Sequence, residues 1–240
     1  MRLAVPSQGD QAATVEKSYS PISPAGAVGY FDLLVKAYPA RVAHVPLPST
    51  HGKHGGLGAA LCSLRIGECV DMKVKPAQSI QGSPYTRNRW DHLLLVANGT
   101  GIAPLFQLMR TVLEDPEDRT FVSLVYANRT EHDILLRSDI EQLRAARGAG
   151  VFVRHVLSQP PPGWDGGRGR VAAADIQAAI AAHCGPNRMV MVCGKDEFIG
   201  TVCGQMERVT VAGQKANKLQ GPLKGILAEL GFRSSEVHKL

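Results

Sequence analysis

Three short segments carry residue types whose order could do chemistry. Ala97-Asn-Gly-Thr-Gly-Ile-Ala-Pro104 follows an apolar run and precedes a helical pattern. Gly99 and Gly101 would let backbone approach a ligand closely, and the free N–H groups of the helix start suit a pyrophosphate. An ordinary tight strand–helix turn would use the same glycines. A dehydrogenase dinucleotide fingerprint would set its third glycine where Pro104 stands, so that pattern is not met. Cys193-Gly194 ends the strand-like run Met189-Val-Met-Val-Cys193. Open α/β sheets bind ligands at that carboxyl edge, although a free cysteine also serves there as a small packing residue. Glu16-Lys-Ser-Tyr-Ser-Pro-Ile-Ser23 sets a cation, a tyrosine and hydroxyls where they could grip a phosphate and cover a flat ring. Most of those letters return in Ser83-Pro-Tyr-Thr-Arg87, so as an isolated string the segment decides little.

The rest of the composition excludes several classes. The 240 residues are 44% apolar and 20% charged, which is globular, and the length suits two ordinary domains. The longest apolar run, Leu93 to Ala97, is strand-sized, so no membrane span is expected, and Met1 to Gln11 lacks the pattern of a secretory signal. Five cysteines without a Cys-x-x-Cys pair read as reduced thiols in an intracellular, cytoplasmic chain. His51 and His54 have no further ligands near them in sequence, so no metal is expected. The net charge of +6 is uneven: residues 1–90 hold ten Lys and Arg against five Asp and Glu. Without a basic helix, zinc module or aromatic RNA-reading motif, this charge does not point to nucleic acid. An anionic membrane, an acidic protein and a phosphate-bearing cofactor remain open.

The elements that must position these segments change character along the chain. Gly29 to Tyr38 is rich in β formers, and Glu68 to Val74 alternates apolar and polar residues, so both read as strands. Pro39 to Gly58 reads as loop. Lys75 to Arg89 has Pro, Gly and no periodicity; it reads as the interdomain connection, with residues 83–90 as the linker proper. After Trp90 strands and helices alternate: strands at His92–Ala97, Phe121–Ala127, Val151–Leu157 and Arg188–Cys193. Helices fall at Leu105–Glu114, at Ile134 to Gly148, at Ala172–Ala182, around Phe198 and at Gly221–Leu230. That order predicts a doubly wound parallel sheet.

The series of motifs is more specific than any member. Lys-x-Tyr-Ser-Pro, a β run with Lys36, a Gly-rich loop, Gly-Thr-Gly-Ile-Ala-Pro, Asn128-Arg-Thr-Glu-His-Asp-Ile-Leu-Leu136 and a late Cys-Gly occur in order. That series resembles the NADH-cytochrome b5 reductase branch of the ferredoxin–NADP reductase superfamily from about Lys17 to Leu240. The resemblance implies an antiparallel FAD-binding β-barrel over residues 1–82, here incomplete because only about sixteen residues precede Lys17. A C-terminal α/β NAD(H)-binding domain over residues 91–240 follows.

By the same resemblance, Lys17, Ser18, Tyr19 and Ser20 match the family's Arg-x-Tyr-Thr motif for FAD, with lysine in place of the forked arginine. Leu34 and Lys36 match Val-x-Lys on the next strand. Gly56, Leu57 and Gly58 fall on the family's Gly-Lys-Met-Ser phosphate loop and lack its lysine and serine. Gly99, Thr100, Gly101 and Pro104 match the nicotinamide-coenzyme turn, with Asn128 beyond it. Asp133 matches the acid associated with preference for NADH, although a carboxylate starting a helix also favours the helix dipole. Cys193, Gly194 and Phe198 match the Cys-Gly-Pro-Pro-x-Met motif without its prolines. The implied catalytic residues are Ser20 at the flavin, with Thr100 and Cys193 flanking the nicotinamide. The implied activity is hydride transfer from NADH to FAD, then single electrons to an acidic one-electron acceptor such as cytochrome b5 or another haem protein, by a monomer. The alternative is a reductase-like nucleotide-binding protein that has lost flavin and catalysis.

Overall fold

In the computed structural model the described residues are 2–6, 14–36, 56–74, 79–183, 185–209 and 217–240. The chain divides into two compact units, Met1–Ala77 and Gln78–Leu240.

Strand β1 (Arg2–Pro6) lies at the centre of a three-stranded antiparallel sheet in the N-terminal unit. β2 (Thr14–Ser18) and β3 (Asp71–Lys73) flank it. Helix α1 (Gly56–Ser63) packs on β2, and Leu57 is fully buried beneath it. Two sequence expectations change here. The expected strand Gly29–Tyr38 forms no ladder through residue 36, its one β-bridge being Pro21–Leu33; residues 37 and 38 lie outside the described residues. β propensity measures fit to a half-buried pleated surface, and Tyr30 and Phe31 are exposed instead. The second strand shortens to β3, with all three side chains exposed. The expected loop Pro39–Gly58 and His51 and His54 fall outside the described residues as far as residue 55.

The second unit is built on a six-stranded parallel sheet. In chain order its strands are β4 (His92–Asn98), β5 (Phe121–Asn128), β6 (Val151–Leu157), β7 (Gly167–Arg168), β8 (Arg188–Cys193) and β11 (Val237–Lys239). Their spatial order is β11-β8-β4-β5-β6-β7. β4 reads His-Leu-Leu-Leu-Val-Ala-Asn and is buried on both faces, as a central parallel strand must be. Helix α2 (Ile102–Leu113) buries Ile102, Leu105, Phe106, Met109 and Val112, the i, i+3, i+4 spacing of one face. Pro104 sits in its first turn, where a missing N–H costs nothing. Helices α3 (Arg137–Arg147), α4 (Ala173–Ala181), α5 (Asp196–Cys203) and α6 (Gly225–Glu229) complete the layers, with a hairpin of β9 (Glu207–Val209) and β10 (Asn217–Leu219).

Helix bounds differ from expectation, most of all at α3 and α6. Ile134 and Leu135 precede α3 instead of opening it, because Leu136 takes a left-handed conformation (φ 56°) that starts the helix anew at Arg137. The closing helix is only α6. Sequence reading also ends without β7, the hairpin or β11. Residues 79–91 are fastened to this unit. The Arg89 guanidinium donates to the carbonyls of Ile80, Ser83 and Pro84, Tyr85 donates to Asp118, and Arg87 pairs with Asp115 and Glu117.

At the amino edge of the sheet His92 is buried with its Nε2 2.8 Å from Ser123 Oγ, which donates to the carbonyl of Ala179 at 2.9 Å. Since that serine has one proton to give, His92 Nε2 is the donor to it. Burial, with His183 and Arg188 nearby, pulls its pKa down to about 4.

Candidate functional site

Parallel strands all end on one edge, so the topology brings the carboxyl ends of β8, β4 and β5 side by side. Ala97 is in register with Cys193, and Asn98 with Ala127. The chain leaves β4 through a 3-10 turn, Gly99–Gly101, directly into α2. Gly99 has φ +54°, a conformation that favours glycine. Gly101 is required for a different reason: a Cβ there would meet the Cys193 carbonyl oxygen at 2.5 Å. Gly194 is pressed likewise, its added Cβ meeting Phe198 at 2.8 Å and the Asn98 side chain at 2.9 Å. Gly99, Thr100, Gly101, Cys193, Gly194 and Phe198 therefore form one backbone cradle, with Thr100 exposed on it and Pro104 in the helix turn behind it. A pyridine nucleotide needs such a site, in which backbone approaches the ligand and a helix start faces its phosphates.

Sequence reasoning missed the group that fixes this turn. The hydroxyl of the buried Tyr126, on β5, donates to the Gly99 carbonyl at 3.0 Å. Burial pushes that hydroxyl up to about 12, against a smaller pull from the Asn128 side chain. Alternation along β5 could mark Tyr126 as core but not as a clamp on the neighbouring strand's turn. Asn128 is buried at the end of β5, and its carbonyl accepts from Ser158 N at 3.1 Å.

Asp133 lies beyond it, at the third position of a 3-10 turn (Glu131–Asp133) rather than in a helix. Its Oδ2 accepts from Thr130 N at 3.2 Å and from Thr130 Oγ1 at 2.8 Å, a capping box. Arg129 Nε stands 3.7 Å from the same oxygen.

In the N-terminal unit, Lys17, Tyr19 and Ser20 are half-buried at and after the end of β2, and Ser18 is exposed. Burial raises the Tyr19 hydroxyl, with Cys62 of α1 adding to the shift. Gly56, Leu57 and Gly58 are the first turn of α1 rather than a loop, because buried Leu57 anchors that turn to the core. A Cβ on Gly58 would come 2.9 Å from the Lys36 carbonyl oxygen. The contact joins the α1 start to the Leu34–Lys36 segment, where both named residues are half-buried. Leu57 turns inward, so this second glycine turn offers a phosphate-bearing cofactor backbone groups and no side chain. Among the described residues no cluster of His, Cys, Asp or Glu could hold a metal, and no helix is long and apolar enough to cross a membrane.

Comparison with known proteins matches each unit to a domain model. Residues 3–78 match the oxidoreductase FAD-binding domain, and residues 95–204 match the oxidoreductase NAD-binding domain. NADH-cytochrome b5 reductase 2 of Chaetomium globosum is 33% identical over 230 residues, 96% of this chain and 59% of that protein. The enzyme of the same name from Ajellomyces capsulatus is 32% identical over 233 residues, 96% of this chain and 64% of that protein. The chain is similar to NADH-cytochrome b5 reductases over nearly its whole length.

It spans about six-tenths of the length of these relatives. The fold agrees with the cytochrome b5 reductase domain of Ulva prolifera nitrate reductase, with TM-score 0.76 at 23% identity over all of this chain and 82% of that one. The FAD/NAD-binding domain of Vibrio cholerae nitric oxide dioxygenase also agrees, with TM-score 0.69 at 15% identity, covering this chain fully and 81% of that one. The two units are thus an FAD-binding and an NAD-binding oxidoreductase domain of ferredoxin reductase-like fold.

Proposed function

We propose that the chain is an FAD-dependent oxidoreductase that takes a hydride from NADH onto flavin and passes single electrons to an acidic haem protein such as cytochrome b5. The observation that carries this reading is the contact of Gly101 with the Cys193 carbonyl at the joined ends of β4 and β8. It leaves backbone where a coenzyme needs it, in a chain whose relatives are named NADH-cytochrome b5 reductase. FAD supplies the two-electron to one-electron conversion; the protein supplies position and electrostatics.

Each residue group then has a task. Gly99, Gly101 and the α2 start hold the dinucleotide phosphates, and Thr100 and Cys193 flank the nicotinamide ring. Asn128 and Asp133 bound the far side of that coenzyme, and Gly194 and Phe198 back Cys193. Lys17, Lys36 and the backbone of Gly56–Gly58 hold the flavin phosphates, Ser18 and Leu34 border them, Tyr19 covers the ring system and Ser20 offers its hydroxyl to it. The basic excess of residues 1–90 steers the acidic partner.

The decisive experiment is optical. The purified chain is expected to carry flavin absorbance that bleaches on adding NADH. A colourless protein that refuses added FAD yet binds NADH would replace this reading with a flavin-free nucleotide-binding protein, the outcome favoured if the missing lysine and serine at Gly56–Gly58 are decisive. Raising salt should slow turnover with cytochrome b5 far more than with a small neutral dye; equal slowing removes the steering of the partner.

A further inference from the structure

We propose that β3 is a docking edge for a second copy of this chain, joined by antiparallel strand addition about a two-fold axis at Met72. The proposal goes beyond the reductase reading and does not rest on it, and it sets a dimer where the resemblance implies a monomer. β3 stands last in the order β2-β1-β3, so one of its edges pairs with β1 and the other ends the sheet. Among the described residues no backbone hydrogen bond reaches residues 70–74 from any element but β1. Asp71, Met72, Lys73 and Val74 are all exposed, and Val70 is half-buried. A row of free N–H and C=O groups with accessible side chains is a template for one more strand.

The residues of the edge select the strand that fits. Val70-Asp-Met-Lys-Val74 has complementary chemistry when read backwards against itself. Two copies paired antiparallel about Met72 set Val70 against Val74, Asp71 against Lys73 and Met72 against its twin. Each charge then meets its opposite, twice over, and directly opposed unlike charges stabilise a strand pair. Sliding one copy by two residues sets Asp71 against Asp71 or Lys73 against Lys73. A slip of one residue sets each charge against an apolar side chain, so a single register is complementary. A lysine on an edge strand ordinarily discourages addition; in this register it becomes the attraction. These charges are not engaged within the chain: β1 sets Ala4 across from Asp71 and Arg2 across from Lys73, and among the described residues neither charge makes an ion pair. The strand is short, so the contact is small and the dimer weak and concentration-dependent.

The test is sedimentation of the full chain, as purified, over a concentration series, where wild type should show a reversible monomer–dimer equilibrium. Asp71→Lys and Lys73→Asp each oppose like charges at both ends of the pair and should weaken self-association by roughly thirtyfold. Mixed in equal amounts, these two variants should dimerise with each other, because each supplies the charge the other lacks. The double variant Asp71→Lys/Lys73→Asp should dimerise alone, which separates lost pairing from a lost fold. A wild-type chain that stays monomeric throughout overturns the proposal. So does a dimer indifferent to both reversals, which would lie on another surface, or one that neither the mixture nor the double variant restores.

Discussion

The two units build ligand sites from unequal materials. In the α/β unit the cradle is made by strand ends that the sheet itself aligns, beneath buried Leu93, Leu94, Leu95 and Val96. In the N-terminal unit the described strands are three to five residues long, β3 is exposed throughout, and Val28, Tyr30, Ile66 and Val74 stand in solvent. The first site follows from core packing. The second depends on individual side chains, Lys17, Tyr19, Ser20 and Lys36, set on a lightly packed frame. Damage to the core should therefore abolish the first site, while the second should yield to single surface changes.

The largest expected effect tests that contrast directly. Leu95 is wholly buried in β4, so Leu95→Ala should cost ~3–5 kcal/mol through lost burial and the cavity left behind. Leu34 is half-buried on an unladdered segment, and Leu34→Ala should cost about 1 kcal/mol. Thermal unfolding of the two variants measures both; equal losses would erase the asymmetry.

Gly101→Ala comes next and separates site from core. The added methyl meets backbone at 2.5 Å, so the turn between β4 and α2 must shift. We expect kcat/KM for NADH to fall by about a hundredfold, close to 3 kcal/mol, while flavin content is retained. A fall below threefold would show that the turn tolerates displacement and that the cradle is not where the coenzyme lies.

Acid should strike the α/β unit, whereas alkali should strike both, since Tyr126 is raised in the one and Tyr19 in the other. His92 stays neutral in the folded α/β unit, with its pKa lowered to about 4 from an ordinary value near 6.5. Its contribution is complete above pH 6.5 and is lost as pH falls toward 4, at most about 3 kcal/mol in all. His155 and His238 are lowered by burial too and act in the same sense. Tyr19 in the N-terminal unit is raised, so its contribution is intact below pH 10 and is lost as pH rises beyond that. Urea unfolding from pH 7 to 4, with His92→Gln as control, checks the first half. A wild-type slope matching that of the variant would remove His92 as the cause.

Legibility in the sequence divides along the same line. β6 and β8 are found at their expected bounds, and β4 and β5 run one residue longer; β4, β5 and β8 are legible as buried, mostly apolar runs, while half-buried β6 is legible by its β-branched and aromatic residues around Arg154 and His155. β11, Val-His-Lys, has no such run; it is a strand only because β8 offers an open edge to pair with. The reverse error arises from Gly29 to Lys36, where strand-forming residues lack a laddered partner. Ile134 and Leu135 look helical by spacing, and only the left-handed Leu136 shows that the helix begins later. The glycines of the α/β site were legible by motif, but not the collisions that require them. Tyr126 was missed because what it does depends on a neighbouring strand's turn.

The smallest expected effect concerns Tyr126. Its hydroxyl reaches across from β5 to the Gly99 carbonyl, which also accepts from the Ile102 N–H, so the turn is held by packing at Gly101 and by one side-chain hydrogen bond at Gly99. Tyr126→Phe removes the bond and keeps the ring in the core. A neutral hydrogen bond contributes about 1 kcal/mol net, so KM for NADH should rise roughly fivefold with kcat little changed. A purely structural role would instead lower the unfolding temperature and leave KM alone, because the phenyl ring still fills its place. The packed contact should thus outweigh the bonded one at the same turn. If Tyr126→Phe were to cost as much as Gly101→Ala, the cradle would owe its shape to side chains after all, and the two units would differ less than their cores suggest.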